Sequence, residues 1–256
     1  MHVETLRRYP VKSMLGEELP ESDVSERGLA GDRARAVLDI ATGKIASAKN
    51  PRLWRGLLAI EGAKAPDDEE LSRLLGRDVR LIDVPPENAR FERSVPEQVL
   101  AAGIEAVVPY TVGTLGGASP EGTFFDFAPI HLITTATVER IGSLGPRGHV
   151  EALRYRPNLV IRTEEEGFPE NAWVGRELHV GDEVVLEVIV TSPRCAVPTL
   201  AHGPLGRDTD ALRTVARHNR VPVLDQGPQP CAGVYARVVR PGRIRKGDGV
   251  RLTPAA

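Results

Sequence analysis

Residues 177–190 constrain the fold of this chain more than any other stretch. Val184, Leu186, Val188 and Val190 alternate with their neighbours, so one face of an extended strand carries four branched apolar side chains. Glu177-Leu178-His179-Val180 precedes it, and Gly181-Asp182 between them is a strong turn signal, so the segment reads as a β-hairpin. A hairpin with one apolar face needs further sheet against it. Twenty-five Gly and 21 Pro, against five Phe, four Tyr and two Trp, favour short elements joined by turns around a core of Val, Leu, Ile and Ala.

The remaining periodicity agrees. Residues 3–9, 34–40, 79–84, 127–134, 159–161 and 234–239 read as strands, as do Val250 and Leu252 after the Lys246-Gly247-Asp248-Gly249 turn. Residues 67–75 form a helix with acidic residues at its start, Leu71, Leu74 and Leu75 on one face, and Gly76 as a left-handed stop. Thr134 or Thr135 caps a short helix to Ile141, and Asp210 starts another along Leu212, Val215 and Ala216. Between residues 101 and 123 the periodicity fades into glycine, which marks a boundary between units at 1–120 and 121–256. The expected fold is mainly β with a few short helices.

Net charge is −2, so no global field recruits nucleic acid or an anionic membrane, and any anion site is local. Two cysteines make neither a disulfide framework nor a closed zinc site. The first residues lack the apolar core of a secretory signal, and no apolar run reaches membrane-spanning length. The expected location is cytoplasmic.

Four segments carry chemistry. Thr191-Ser192-Pro193-Arg194-Cys195 follows the alternating strand and places a soft thiolate ligand at its end, electrostatically favoured by Arg194. Pro193 and Pro198 make that a stiff loop, where functional groups concentrate. Cys231, starting a later strand, reads as structural, and His131 and His179 as packing or surface residues. Lys12-Ser13, in a loop after Tyr9-Pro10-Val11, pairs an ammonium with a hydroxyl suited to phosphate. Gly28 to Arg33 is a glycine-bracketed turn that lets backbone approach a ligand; taken alone, it reads as a turn with solvated Asp32 and Arg33. Arg156-Pro157-Asn158 opens a strand, where an extended chain projects Arg156 and Asn158 to the same side, a guanidinium fork and a carboxamide suited to phosphate and a polar heterocycle.

These segments, with Ala46-Ser47-Ala48-Lys49-Asn50-Pro51-Arg52-Leu53, Phe127-Ala128-Pro129-Ile130-His131-Leu132, Trp173-Val174-Gly175 and Gly233-Val234-Tyr235, resemble the MOSC family (molybdenum cofactor sulfurase C-terminal domain) preceded by its N-terminal β-barrel domain. The resemblance extends over nearly the whole chain and is similar to the amidoxime-reducing group of that family. It implies a small N-terminal barrel-like unit packed on a MOSC β-barrel, with the site between them. It implies Cys195 as the catalytic molybdenum ligand and Lys12, Ser13, Arg33, Arg156, Asn158, Thr191 and Arg194 as residues binding the molybdenum cofactor (molybdopterin). Pyridoxal phosphate is not expected.

Two functions follow from the resemblance. One is a molybdenum-dependent oxidoreductase that removes oxygen from N-hydroxylated small molecules such as amidoximes, hydroxylamines or N-hydroxylated bases. Its electrons would come from a separate donor protein, a ferredoxin or a cytochrome b5-type protein with its reductase. The other is a carrier of the cofactor, or of sulfur on Cys195, without turnover. A third reading, a β-barrel interaction module with no cofactor, requires all four segments to be ordinary turns and strand ends.

Overall fold

The computed structural model describes residues 1–253. The chain is mainly β, with short helices between the strands. The largest sheet has nine strands. Its path runs Val250–Leu252, Glu177–Val180, Val184–Pro193, Pro228–Arg240, Ile130–Thr134, Leu159–Arg162, His2–Arg8 and Glu17–Leu19, with Arg220–Pro222 pairing beside Pro228–Arg240. The hairpin expected at Gly181-Asp182 is present, with Val180 opposite Val184 and Gly181 at φ +60°. Strands from both sides of residue 120 share this sheet: Leu6 lies opposite Leu159, and Val3 opposite Ile161.

The alternation from Val184 has a limit. Val184, Leu186 and Val188 join a core with Leu6, Ile130, Leu132, Leu159 and Trp173. A register shift between Val188 and Val190 then sends Val190 into a separate cluster with Val223 and Cys231. One extra residue in a strand re-aims the side chains beyond it. A further register shift, between Thr191 and Pro193, follows before the strand reaches the site.

Ile130–Thr134 and Leu159–Arg162 run parallel, so the chain must cross over between them. The helix Thr135–Leu144 makes that crossing and runs past Ile141, its expected end. Thr134 caps it by accepting a hydrogen bond from the Thr137 amide at 3.1 Å. With the helix Asp210–His218 it covers one face of the sheet through Ile133, Ile141, Tyr155, Val215 and Ala232. The strand expected from residue 127 starts only at Ile130, because Pro129 has no amide to donate to a ladder.

A five-stranded sheet forms the other body of the fold, in the order Val79–Ile82, Ala36–Asp39, Lys44–Ile45, Arg90–Ser94, Tyr110–Thr114. Tyr110–Thr114 lies within the segment read as a fading boundary; it forms because Arg90–Ser94 offers it a complete antiparallel partner. The helix Asp68–Leu75 packs here through Leu71, beside Val11, Met14, Val37 and Trp54. Its ends are as expected: Asp67 accepts from the Glu70 amide at 2.9 Å, and Gly76 takes φ +64°.

Candidate functional site

A cleft of about 850 Å³, part of it open to solvent, is lined by residues from both halves of the chain. Lys12, Ser13, Arg33, Arg156, Asn158, Arg194 and Cys195 all line it. Its lining carries seven lysine and arginine side chains against one carboxylate, Asp126. In a chain of net charge −2, that is a strong local concentration of positive potential.

Backbone strain collects in the same place. Five residues other than glycine have positive φ, and three of them, Ser13 (+66°), Arg33 (+44°) and Arg156 (+56°), line the cleft. Such conformations cost free energy and persist only where surrounding structure enforces them, often at ligand sites. Here the left-handed conformation aims each side chain. Arg156 ends the short helical turn Ala152–Tyr155, its amide donating to the Leu153 carbonyl at 3.0 Å. It is therefore not the extended residue expected ahead of Pro157, and Arg156 and Asn158 do not alternate along one strand.

Tyr9 is the platform beneath this corner. The Arg156 guanidinium lies 4.3 Å from its ring centroid and that of Arg33 lies 4.5 Å away. The Tyr9 hydroxyl donates to the Pro157 carbonyl at 3.1 Å, which fixes the ring. Arg33 also pairs with Asp32 and donates to Asn158 Oδ1 at 3.0 Å. Asp32 is buried rather than solvated: its carboxylate takes the Tyr9 amide at 2.6 Å and Asn158 Nδ2 at 3.0 Å. Arg156 differs from Arg33 in having no acid. Its Nη1 is buried without a hydrogen-bond partner, and burial lowers its pKa to about 10.

Asn158 is occupied by the protein. Its oxygen accepts from Arg33 and from the His131 amide at 3.1 Å, and its nitrogen donates to Asp32 and to the Arg7 carbonyl at 3.1 Å. This carboxamide positions Arg33 and knits the first strand to the site, with no hydrogen bond left for the phosphate and heterocycle it was expected to contact.

Lys12, Asp126 and Lys49 form a second cluster. Lys12 Nζ pairs with Asp126 and donates to the Phe124 carbonyl at 3.1 Å, while Lys49 Nζ holds the other carboxylate oxygen at 3.0 Å. Both ammoniums sit over the Phe91 ring, at 5.1 and 5.0 Å from its centroid. Burial pushes Lys12 down to about 8 despite the pull of Asp126. Asp126 is raised by burial, but the two ammoniums overcome this and hold it well below the usual carboxylate range. Ser13 turns its hydroxyl to the Ala48 amide, accepting at 3.1 Å, and so ties this loop to the segment that carries Lys49.

Cys195 is a free, partly exposed thiol at the cleft wall, flanked by Ala48, Leu58, Val197 and Leu200. Arg194 beside it is braced by two carbonyls, donating from Nε to Ser192 at 3.0 Å and from Nη1 to Tyr155 at 3.1 Å. Thr191, expected to contact the cofactor, does not line the cleft. It lies opposite Val234 inside the sheet, with its hydroxyl 3.4 Å from the Pro222 carbonyl and accepting the Cys231 thiol at 3.6 Å. Register shifts at Val188/Val190 and Thr191/Pro193 leave Thr191 in the sheet and Pro193 at its end. Cys231 is buried, and burial raises its thiol pKa.

Several lining residues are not legible in the sequence as site residues, Arg154 and the following four among them. Lys49 lies in the stretch Ala46 to Leu53 but has no spacing relation to Lys12. Asp126 follows Phe124-Phe125 with nothing to mark its partners. Arg93 is a charged residue in an ordinary strand. His131 was assigned to packing or surface; it is buried at the cleft floor, with burial and then Arg194 lowering its pKa well below the ordinary range.

These residues fit a large, anionic cofactor that brings its own metal. Among the described residues no group of three or more His, Cys, Asp or Glu is placed to hold a metal ion, and the free thiol of Cys195 is a soft donor at the cleft wall. The orphaned Arg156 Nη1 is a built donor for a phosphate. No described helix is long and apolar enough to cross a membrane.

The model of the MOSC domain family matches residues 120–251, and that of the MOSC N-terminal beta barrel domain matches residues 1–75. The YuaD protein from Bacillus subtilis aligns over 98% of this chain and 93% of its own, at 12% identity and a TM-score of 0.48. YiiM from Geobacillus stearothermophilus aligns over 50% of this chain and 55% of its own, at 16% identity and a TM-score of 0.36. No curated protein matches the chain.

Proposed function

Because the chain belongs to the MOSC domain family, whose members are associated with the molybdenum cofactor, we propose that it is a molybdenum-cofactor oxidoreductase acting on N-hydroxylated small molecules. The observation that carries this reading is one cleft uniting an accessible thiol, Cys195, with a buried guanidinium, Arg156, that has no partner of its own.

In this reading Arg156 binds the phosphate directly and the paired Arg33 and Lys12 add positive field around it, with Ser13 bracing the Lys12 loop and Asn158 orienting Arg33. Arg194, braced by the Ser192 and Tyr155 carbonyls, keeps a positive charge in the cleft next to Cys195. When bound, the molybdenum cofactor supplies a two-electron centre able to take an oxygen atom from the substrate. The overall reaction cleaves one N–O bond, consumes two electrons and two protons, and releases water. The electrons come from a separate donor protein. His131, buried and neutral, offers no charge to compete with the substrate.

The test is the molybdenum and pterin content of the protein made in a cofactor-replete host, beside Cys195→Ala, with reduced viologen and benzamidoxime as the assay. Near-stoichiometric metal that disappears in the variant, together with amidine formation, is the expected result. Pterin without turnover would leave a carrier, and neither would remove the cofactor from the reading altogether.

A further inference from the structure

We propose that Arg93 makes the cleft selective for substrates that carry an anionic group, a carboxylate or phosphate, in addition to the reacting N–O group. The inference rests on the proposed reductase function for the reacting group, but on the cleft's own charges for the anion.

Arg93 lines the cleft from the strand Arg90–Ser94. In a strand, residues two apart share a face, so Arg93 projects on the same side as Phe91, the ring beneath Lys12 and Lys49. The backbone is pinned there, since the Ser94 amide donates to the Lys49 carbonyl at 3.0 Å and Arg93 lies opposite Thr111. The side chain is only partly exposed, yet among the described residues it has no acidic partner and no hydrogen bond.

The other cations of the cleft are already committed. Arg33 has Asp32, and Lys12 and Lys49 share Asp126. Arg154 has Glu151 at 2.6 Å and Asp208 at 4.0 Å, and Arg194 is bonded to carbonyls. Among the described residues, Arg156 and Arg93 are left with neither an acid nor a side-chain hydrogen bond. One phosphate on the cofactor answers Arg156. Arg93 comes from the five-stranded sheet and Arg156 from the turn before Leu159–Arg162, so the two guanidiniums line the cleft from different elements. A partly desolvated guanidinium aimed into a cleft is best satisfied by a ligand oxygen pair, the bidentate geometry for which arginine is suited.

The experiment compares 4-carboxybenzamidoxime with 4-carbamoylbenzamidoxime, which have the same shape and differ in charge. Dissociation constants are measured by calorimetry on the oxidised protein as isolated, and kcat/KM with reduced viologen, for the wild type, Arg93→Gln and Arg93→Lys. The expected result is at least about a tenfold preference for the carboxylate, the size of one charge-assisted hydrogen bond. That preference falls to near one in Arg93→Gln and partly returns in Arg93→Lys. A wild-type preference near one, a preference that survives Arg93→Gln, or binding of neither compound overturns the proposal. Binding preference without reduction of either compound would retain the anion site and remove the reductase function. Reduction of both without preference would do the reverse.

Discussion

The Arg156 guanidinium lies 4.3 Å from the centroid of the Tyr9 ring, and Tyr9 comes from the far end of the chain's pairing with the strand after Arg156. One aromatic ring thereby holds two guanidiniums, Arg156 and Arg33, of which only Arg33 has a carboxylate. Such a pair in a buried corner calls for compensation, which in the proposed function a cofactor phosphate would supply.

Arg156→Met separates this ligand role from a structural one. Removing a buried guanidinium that has no partner leaves the unfolding temperature unchanged or slightly raised, because its desolvation cost goes with it. Pterin and molybdenum content falls by tenfold or more. Thermal unfolding and metal analysis of the same preparation check both. A large loss of stability with cofactor retained would show that Arg156 serves packing.

Asp126→Asn should destabilise the fold by about 2 kcal/mol, less than the removal of a partner from a fully buried pair, because Asp126 is partly exposed. The substitution leaves the Lys12 and Lys49 ammoniums together with no carboxylate. Asp126→Asn combined with Lys12→Met should recover part of the loss, and a double-mutant cycle in urea with the two single variants measures it. Strictly additive losses would mean that the pair is not coupled.

Lys12 gives a pH dependence whose sign is fixed by its burial. Its folded pKa is about 8, below the ordinary value of 10.5 for the unfolded chain. Between these values the unfolded state binds more protons, so stability contributed by this position rises with pH above about 8 and is flat below it. The difference in unfolding free energy between wild type and Lys12→Met, measured from pH 7 to 10, should therefore move in favour of the wild type. A flat difference across that range would place the Lys12 pKa at its ordinary value.

Gly233→Ala tests how closely the sheet approaches His131. Gly233 has φ +79°, and a Cβ there would lie 2.4 Å from the Leu132 carbonyl oxygen and 2.7 Å from His131 Nε2. Backbone cannot yield as a flexible side chain does, so the cost should be about 3 kcal/mol or more. Denaturant unfolding gives the value, and loss of cofactor should accompany it because His131 and Asn158 would shift together.

What the amino-acid sequence determined here is local. The caps of Asp68–Leu75, the turn at Gly181 and the alternation through Val188 were all legible, because each depends on residues within a few positions of one another. Cys195 at a strand end was legible for the same reason. The tertiary structure decided the rest. Only pairing across more than 150 residues puts His2–Arg8 beside Leu159–Arg162 and so brings Tyr9 under Arg156. Register shifts at Val188/Val190 and Thr191/Pro193 leave Thr191 in the sheet and Pro193 at its end, and only the folded chain gathers Lys49, Asp126, Arg93 and His131 around one cleft. Periodicity reports which face of an element is apolar; which charges meet depends on long-range register, and that is set by packing the whole core at once.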